Sequence, residues 1–255
     1  MNDSDAYVEK KKFFSTLLTI YGRKPVLEAL STPGIKVHKL HLSDSNKPAT
    51  ILDEITQLAN AANAEILYHS RDALSRISKN KKQDQGVAVD IKPRGFQNFE
   101  DFINTAPDGF ELIALDNVTN PQNLGMIIRS VCASPMTGLL LPEKGCAKLD
   151  ALVIKASAGT LFKAKIIRCD KLSPALKILR EQGAAIIGLD LNTKHTLPQL
   201  PKEQAKVFVL GNETDGISEA TQQLCTKKIK IPMANDVESL NVAITAGIIA
   251  FRSVL

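Results

Sequence analysis

FELIALDNVTNPQNLGMIIRS, Phe110 to Ser130, decides how this chain folds. Its opening, FELIALD, is almost continuously apolar, the pattern of a strand buried on both faces. A polar stretch with two Asn, a Pro and a Gln follows, and then NLGMIIRSVCAS reads as a helix. The alternation continues to the end of the chain. GLLLP is a strand and LDALVIKAS a helix. KAKIIR is a strand, and SPALKILREQG a helix with Ser173 as its N-cap. AAIIGLDL and KVFVLG are strands, ISEATQQLC a helix, KKIKIP a strand, and the apolar run from Val242 a last helix. Strands alternating with helices make an α/β domain with a mostly parallel sheet.

Upstream the alternation is looser. A helix fits Pro25–Leu30, KVHKLHLS is a strand and ATILDEITQLANAAN is helical, with Ile51, Ile55, Leu58 and Ala62 on one face. EILYHS is strand-like, RDALSRIS helical and QGVAVDI a strand again. KPRGFQNFEDFINTAPDG, rich in Pro, Gly and polar residues, reads as a linker around 92–110 with one short helix at FEDFI.

Composition narrows the function. The chain has 255 residues, 44% hydrophobic and 23% charged, with net charge +5. Residues 1–95 are net +4 and the remainder net +1, so the basic excess lies in the first third. That suits a polyanion partner or a solvated basic surface. Cys132, Cys146, Cys169 and Cys225 are far apart and form no CxxC pair, so no zinc site is expected. They read as small core residues of a reducing compartment. The four His are scattered and read as ordinary surface or core residues. The apolar stretch near Phe13 is short, and no small-residue cleavage site follows it. No segment approaches the roughly 20 apolar residues of a membrane span. The expectation is a soluble, cytoplasmic protein.

Ligands of parallel α/β sheets bind where strands end. Three strand exits carry the chemistry: NVTNPQNLGMIIRS, NETDGIS and MANDVESLNV. No GxGxxG follows a strand and no GxxxxGK[ST] exists, which disfavours a dinucleotide oxidoreductase and a P-loop enzyme. The three exits together resemble the signature motifs of the SpoU/TrmH branch of the knotted (SPOUT) methyltransferases. The first is Asn120-Pro121-Gln122-Asn123-Leu124-Gly125 with Arg129 on the next helix. The second is Gly211-Asn212-Glu213-Thr214-Asp215-Gly216. The third is Ile231-Pro232-Met233, a polar stretch, then Ser239-Leu240-Asn241-Val242. The resemblance covers about residues 110–255. YGRKPVLEAL and QGVAV are similar to the ends of the family's N-terminal domain. One departure is SVCASPMTGLLLP, where Pro135 stands in a stretch that is usually small residues with a Gly.

The resemblance implies a C-terminal trefoil-knotted α/β methyltransferase domain at 110–255. A small ribosomal-protein-like α/β substrate-binding domain at 19–95 precedes it, with an extension at 1–18 and a linker at 96–109. It implies methyl transfer from S-adenosylmethionine to a ribose 2′-hydroxyl of RNA, and a homodimer with its sites at or near the dimer interface. Ribosomal RNA is expected over tRNA, because tRNA-modifying members tend to have shorter N-terminal parts and a basic C-terminal tail. The alternatives are the same reaction on tRNA, or a non-catalytic RNA-binding or ribosome-assembly factor that keeps the fold.

The resemblance also assigns roles. Arg129 would act on the ribose hydroxyl; a guanidinium stays charged, so it favours the developing alkoxide or clamps the adjacent phosphate. Glu213 would orient Arg129 or Asn123. Asn123 would both cap its helix and bind. Ser239 and Asn241 would face the site from the start of the last helix, where either could equally be a helix cap. Gly211, Ile231, Met233 and Leu240 would hold the cofactor, and Gly211 and Gly216 would allow close approach and positive φ. For RNA, Arg23, Lys24, Lys79, Lys81 and Lys82 are the candidates; the same charge run also reads as a solvated loop. Aromatics are sparse, so a stacking platform for single-stranded RNA is not evident.

Overall fold

A computed structural model describes residues 17–190, 193–197, 205–235 and 237–254. Residues 1–16 of the expected N-terminal extension and Asp236 lie outside the described residues, and Leu18 already belongs to the first strand.

The N-terminal part builds a four-stranded sheet from β1 (Leu18–Tyr21), β2 (Lys36–Ser43), β3 (Glu65–His69) and β4 (Val87–Lys92), in the order β1-β4-β2-β3. β4 runs antiparallel to both neighbours and β2 parallel to β3. Three helices complete it: α1 (Arg23–Ser31), α2 (Thr50–Ala61) and α3 (Arg71–Ser78). α1 packs on α2, while α3 touches all four strands. Val87, Ala88 and Val89 are therefore buried in succession, as in a strand covered on both faces. Ser70 caps α3 through the Ala73 N–H.

The second part is a seven-stranded, wholly parallel sheet. Its strands are β5 (Phe96–Asn98), β6 (Glu111–Leu115), β7 (Gly138–Pro142), β8 (Ile166–Cys169), β9 (Ala185–Leu189), β10 (Lys206–Leu210) and β11 (Lys227–Ile229). The order is β11-β9-β10-β6-β7-β8-β5. Alternate residues of the inner strands feed two cores. Ile113, Leu115, Phe208 and Leu210 face α5 (Pro121–Ala133), α6 (Ala151–Ala156) and α9 (Val242–Phe251). Leu112, Ala114, Val207 and Val209 face α4 (Phe99–Thr105) and α7 (Leu172–Glu181). Helix α8 (Glu219–Gln222) completes that side. The apolar runs of the sequence are thus strands covered on both faces.

Several expectations need correction. The stretch around 92–110 is not only a linker: Phe96–Asn98 pairs with Ile166–Arg168 and extends the sheet. The short helix is there, capped by Asn98. Ser173 does not cap α7, which starts at Leu172 with Lys171 at the cap position and no side-chain cap bond. α8 is one turn of four residues, shorter than ISEATQQLC suggests. The apolar run from Val242 suggests a helix buried all round, but α9 is buried along Ala246, Ile249 and Ala250 while Ile244 is 55% exposed. Pro135 follows the end of α5 at Ala133, where a helix stops easily. Among the described residues no helix is long and apolar enough to cross a membrane.

Candidate active site

The strand order reverses direction at β6. From β6 the chain steps through β7 to β8 on one side, then crosses to β9, β10 and β11 on the other. The crevice of such a sheet lies beside this reversal, at the carboxyl ends of the strands. A cavity of about 500 Å³ opens there. Leu189, Leu210 and Ile231, at or just past the ends of β9, β10 and β11, form part of its wall. The size suits a small-molecule ligand.

The loop after β10 supplies the rim. Asn212 and Gly216 exchange backbone hydrogen bonds of 3.0 and 2.9 Å, closing a tight turn around Glu213. The two glycines divide the expected work. Gly216 has φ +68°, and a Cβ on Gly211 would collide with the Gly216 carbonyl. The loop is anchored from below by buried Asp116 at the end of β6. Its Oδ2 accepts from the Ser218 backbone N–H at 2.8 Å and from the Ser218 hydroxyl at 2.7 Å.

Asn241 caps α9, its Oδ1 accepting from Ala243 N–H at 2.8 Å. Its Nδ2 donates to Asn123 Oδ1 at 3.1 Å, and Asn123 Nδ2 donates to Glu213 Oε1. One chain of hydrogen bonds thus runs from the N-terminus of α9 through α5 to the rim loop, joining all three motifs. Each amide uses its oxygen on one side and its NH₂ on the other, so the geometry is fixed at both ends.

The structure sorts the candidates. Glu213, Ser239 and Asn241 line the cavity, as do Gly211, Ile231, Met233 and Leu240. Asn123 is buried behind Glu213. Asn123 does not cap its helix: Asn120 does, its Oδ1 accepting from Gln122 N–H at 2.8 Å and Asn123 N–H at 3.3 Å. This leaves the Asn123 side chain free to bridge. Glu213 engages Asn123 rather than Arg129. Ser239 is exposed in the loop before α9 and is not the cap. Arg129 is exposed on α5 and is not part of the cavity wall. Six residues beyond Asn123, it lies about 9 Å further along the helix.

Of the RNA candidates, Arg23 and Lys24 open α1, and Lys79 ends α3 at φ 55°. Lys81 pairs with Asp72 at 2.7 Å, and Lys82 is exposed. Burial pushes the thiols of Cys132, Cys146 and Cys225 up, and that of Cys169 to about 12, so none is primed as a nucleophile.

Sequence reasoning missed Asp116, Asn120 as the cap, and Gln85. The side chain of Gln85 accepts from the first N–H of α1, at Arg23, at 2.9 Å. The Asn120-Pro121 pair, an Asx residue before a Pro at the first helical position, was the signal for the cap. Nothing local marks Asp116 or Gln85, whose partners are distant in sequence.

Comparison with known proteins fits this geometry. Residues 110–251 match the SpoU rRNA Methylase family, and residues 19–97 match the RNA 2'-O ribose methyltransferase substrate binding family. An uncharacterized tRNA/rRNA methyltransferase of Mycobacterium leprae is 34% identical over 233 residues, covering 91% of this chain and 75% of that protein. Two solved structures share the fold at 23% identity. The AdoMet-bound rRNA methyltransferase from Sinorhizobium meliloti has a TM-score of 0.66, covering 97% of this chain and 91% of that one. The SpoU methyltransferase AviRb from Streptomyces viridochromogenes, in complex with AdoMet, has 0.65, covering 96% and 92%. With its three motifs bonded at one sheet edge and both of its parts matched, the chain belongs to the SpoU rRNA methylase family of RNA methyltransferases.

Proposed function

We propose that this RNA methyltransferase transfers a methyl group from S-adenosylmethionine to a ribose 2′-hydroxyl, with ribosomal RNA favoured over tRNA. The observation that carries the reading is the hydrogen-bonded chain Asn241–Asn123–Glu213 at the rim of the cavity. The match of residues 19–97 to a 2'-O ribose methyltransferase substrate-binding region supports the ribose as acceptor.

The cavity fits the cofactor. Leu210, Ile231, Leu240 and Val242 offer apolar contact, and Gly211 presents bare backbone where no Cβ has room. S-adenosylmethionine supplies a methyl group already activated on a sulfonium. The chain's task is to position the ribose oxygen and ease the loss of its proton. Glu213, its carboxylate held by Asn123, fixes the rim on which the ribose rests. Arg129 favours the developing alkoxide or clamps the adjacent phosphate.

Arg129 reaches such a position in a homodimer. Met126, one turn earlier on the same face of α5, is 43% exposed, as expected of a face covered by a partner. Under this reading the C-terminal segment is threaded as a trefoil knot and the protein works in the cytoplasm.

A second reading keeps the chemistry and changes the RNA. The curated relatives are described as tRNA/rRNA methyltransferases, and a structure concerned with 2-OH methylation of C/U34 on tRNA matches 57% of this chain at 22% identity with a TM-score of 0.50. Labelled S-adenosylmethionine incubated with the protein and either ribosomal RNA or bulk tRNA, both from cells lacking the protein, decides between them. Label in the ribosomal pool supports the first reading, and label in tRNA alone the second. Cofactor binding with label in neither points to a non-catalytic factor.

A further inference from the structure

A second cleft, of about 580 Å³, opens on the N-terminal part, away from the methyl-transfer cavity. The start of α1, the loop after β2, the start of α3 and Gln85 form it. Three cations meet there from three separate segments: Arg23, Lys47 and Arg71. The lining contains no carboxylate, and none of the three is ion-paired among the described residues. Lys39 and Lys81 of the same part are by contrast paired with Glu65 and Asp72.

The cleft is pre-ordered. Arg23 Nε donates to the Gln85 carbonyl at 3.2 Å, while Gln85 Oε1 takes the Arg23 backbone N–H. This holds the guanidinium by one edge and leaves its terminal nitrogens to an outside acceptor. Asn46 Nδ2 donates to the Gly86 carbonyl at 2.8 Å and ties the Lys47 loop to the same segment. Residue 86 has to be glycine: its φ is +77°, and a Cβ would collide with the Asn46 side chain. Asp72, the carboxylate next to Arg71, lies outside the lining and is paired with Lys81, so the cleft itself presents positive charge that attracts an anion.

We infer that this cleft binds the phosphodiester backbone of the RNA substrate, with Arg23, Lys47 and Arg71 on phosphates and Ser45, Asn46 and Gln85 available to the ribose. The inference rests on the RNA methyltransferase reading and deepens it. It also moves the RNA-binding surface: of the residues singled out in the sequence, Arg23 belongs to the cleft, while the Lys79–Lys82 run does not line it. The lining has no aromatic ring on which a base could stack, so the cleft holds backbone and does not read sequence.

The test uses the full chain and ribosomal RNA from cells lacking the protein. RNA affinity is measured across a salt series for the unaltered protein, for Lys47→Gln with Arg71→Gln, and for Lys79→Gln with Lys82→Gln. Each phosphate that a variant no longer neutralises flattens the slope of log affinity against log salt by about 1. The first pair is expected to flatten it by roughly 2 and weaken binding at least about tenfold at low salt. The second pair is expected to change the slope by less than half as much, and binding of S-adenosylmethionine is expected to be the same in all three. Equal effects of the two pairs, or no effect of the first while the unaltered chain binds RNA, overturn the inference. Failure of the unaltered chain to bind RNA at all overturns the RNA methyltransferase reading with it.

Discussion

Asn241 Nδ2 donates to Asn123 Oδ1 at 3.1 Å, across 118 residues of chain, and this bond makes one unit of a helix cap and the rim of the cavity. The two roles can be separated. Asp at position 241 still caps α9, because its carboxylate accepts the Ala243 N–H as the amide oxygen does. It cannot donate to Asn123, and it sets a negative charge against that oxygen. Asn241→Asp is therefore expected to change stability by less than about 1 kcal/mol and to lower the methyl-transfer rate at least about tenfold. Thermal unfolding and single-turnover kinetics measure the two effects. An unchanged methyl-transfer rate would mean that the residue is only a cap.

Gly211 and Gly216 lie five residues apart but fail differently when substituted. Gly211→Ala drives a Cβ into the Gly216 carbonyl and must displace the rim loop. It is expected to weaken cofactor binding by about tenfold or more, that is, by about 1.4 kcal/mol. Gly216→Ala meets no atom within 4 Å but carries the left-handed strain of φ +68°, about 1–2 kcal/mol, mostly as lost stability. Calorimetric titration with S-adenosylmethionine, set beside melting curves, separates them.

Asp116 is buried, and its carboxylate takes two bonds from Ser218. Asp116→Ala leaves the Ser218 N–H without its acceptor, while the hydroxyl still has Thr221 Oγ1 at 3.0 Å, and is expected to cost about 1–3 kcal/mol of stability. Ser218→Ala removes the hydroxyl and keeps the backbone bond, so its cost is expected to be smaller. Urea denaturation of the two variants checks the order.

A polar cluster in the N-terminal sheet gives a pH dependence. His41 Nδ1 lies 3.0 Å from His69 Nε2, His41 Nε2 lies 3.1 Å from Asp90 Oδ2, and Thr19 donates to Asp90 at 2.6 Å. Burial and the neighbouring His41 hold His69 below its ordinary 6.5. Burial pushes the Asp90 carboxyl up, but hydrogen bonds from His41 and Thr19 outweigh it and leave the group below its ordinary 3.8. Both folded values lie under the unfolded ones, so the unfolded chain binds more protons and stability rises with pH. The contribution of His69 is fully present above 6.5 and is lost as pH falls through its lower folded value; that of Asp90 is lost below 3.8. His69→Gln is expected to abolish the first decline and spare the second, measured by melting temperature against pH.

The sequence carried the architecture because its strands are short apolar runs separated by polar turns. KVHKLHLS and GLLLP became β2 and β7 with the bounds read from them. β5 was hidden because Phe96–Asn98 is only three residues long, sits after Pro93 and Gly95, and gains its strand character from pairing with β8. The second and third motifs brought their residues to one cavity, and the first joins them through Asn123, yet the individual bonds were not legible. Asn123 looked like a cap because it precedes an apolar run, but Asn120 and Pro121 already start the helix. Asp116 and Gln85 act through partners 102 and 62 residues away, and no local pattern records such pairings.

The most direct measurement is the position of the transferred methyl group. RNA methylated by the protein with labelled S-adenosylmethionine is hydrolysed in alkali, which needs a free 2′-hydroxyl beside each phosphodiester bond. If the ribose oxygen is the acceptor, the label is recovered in alkali-resistant dinucleotides, and Arg129→Lys loses it while still binding cofactor. Label released in mononucleotides would place the methyl group on a base and contradict the account.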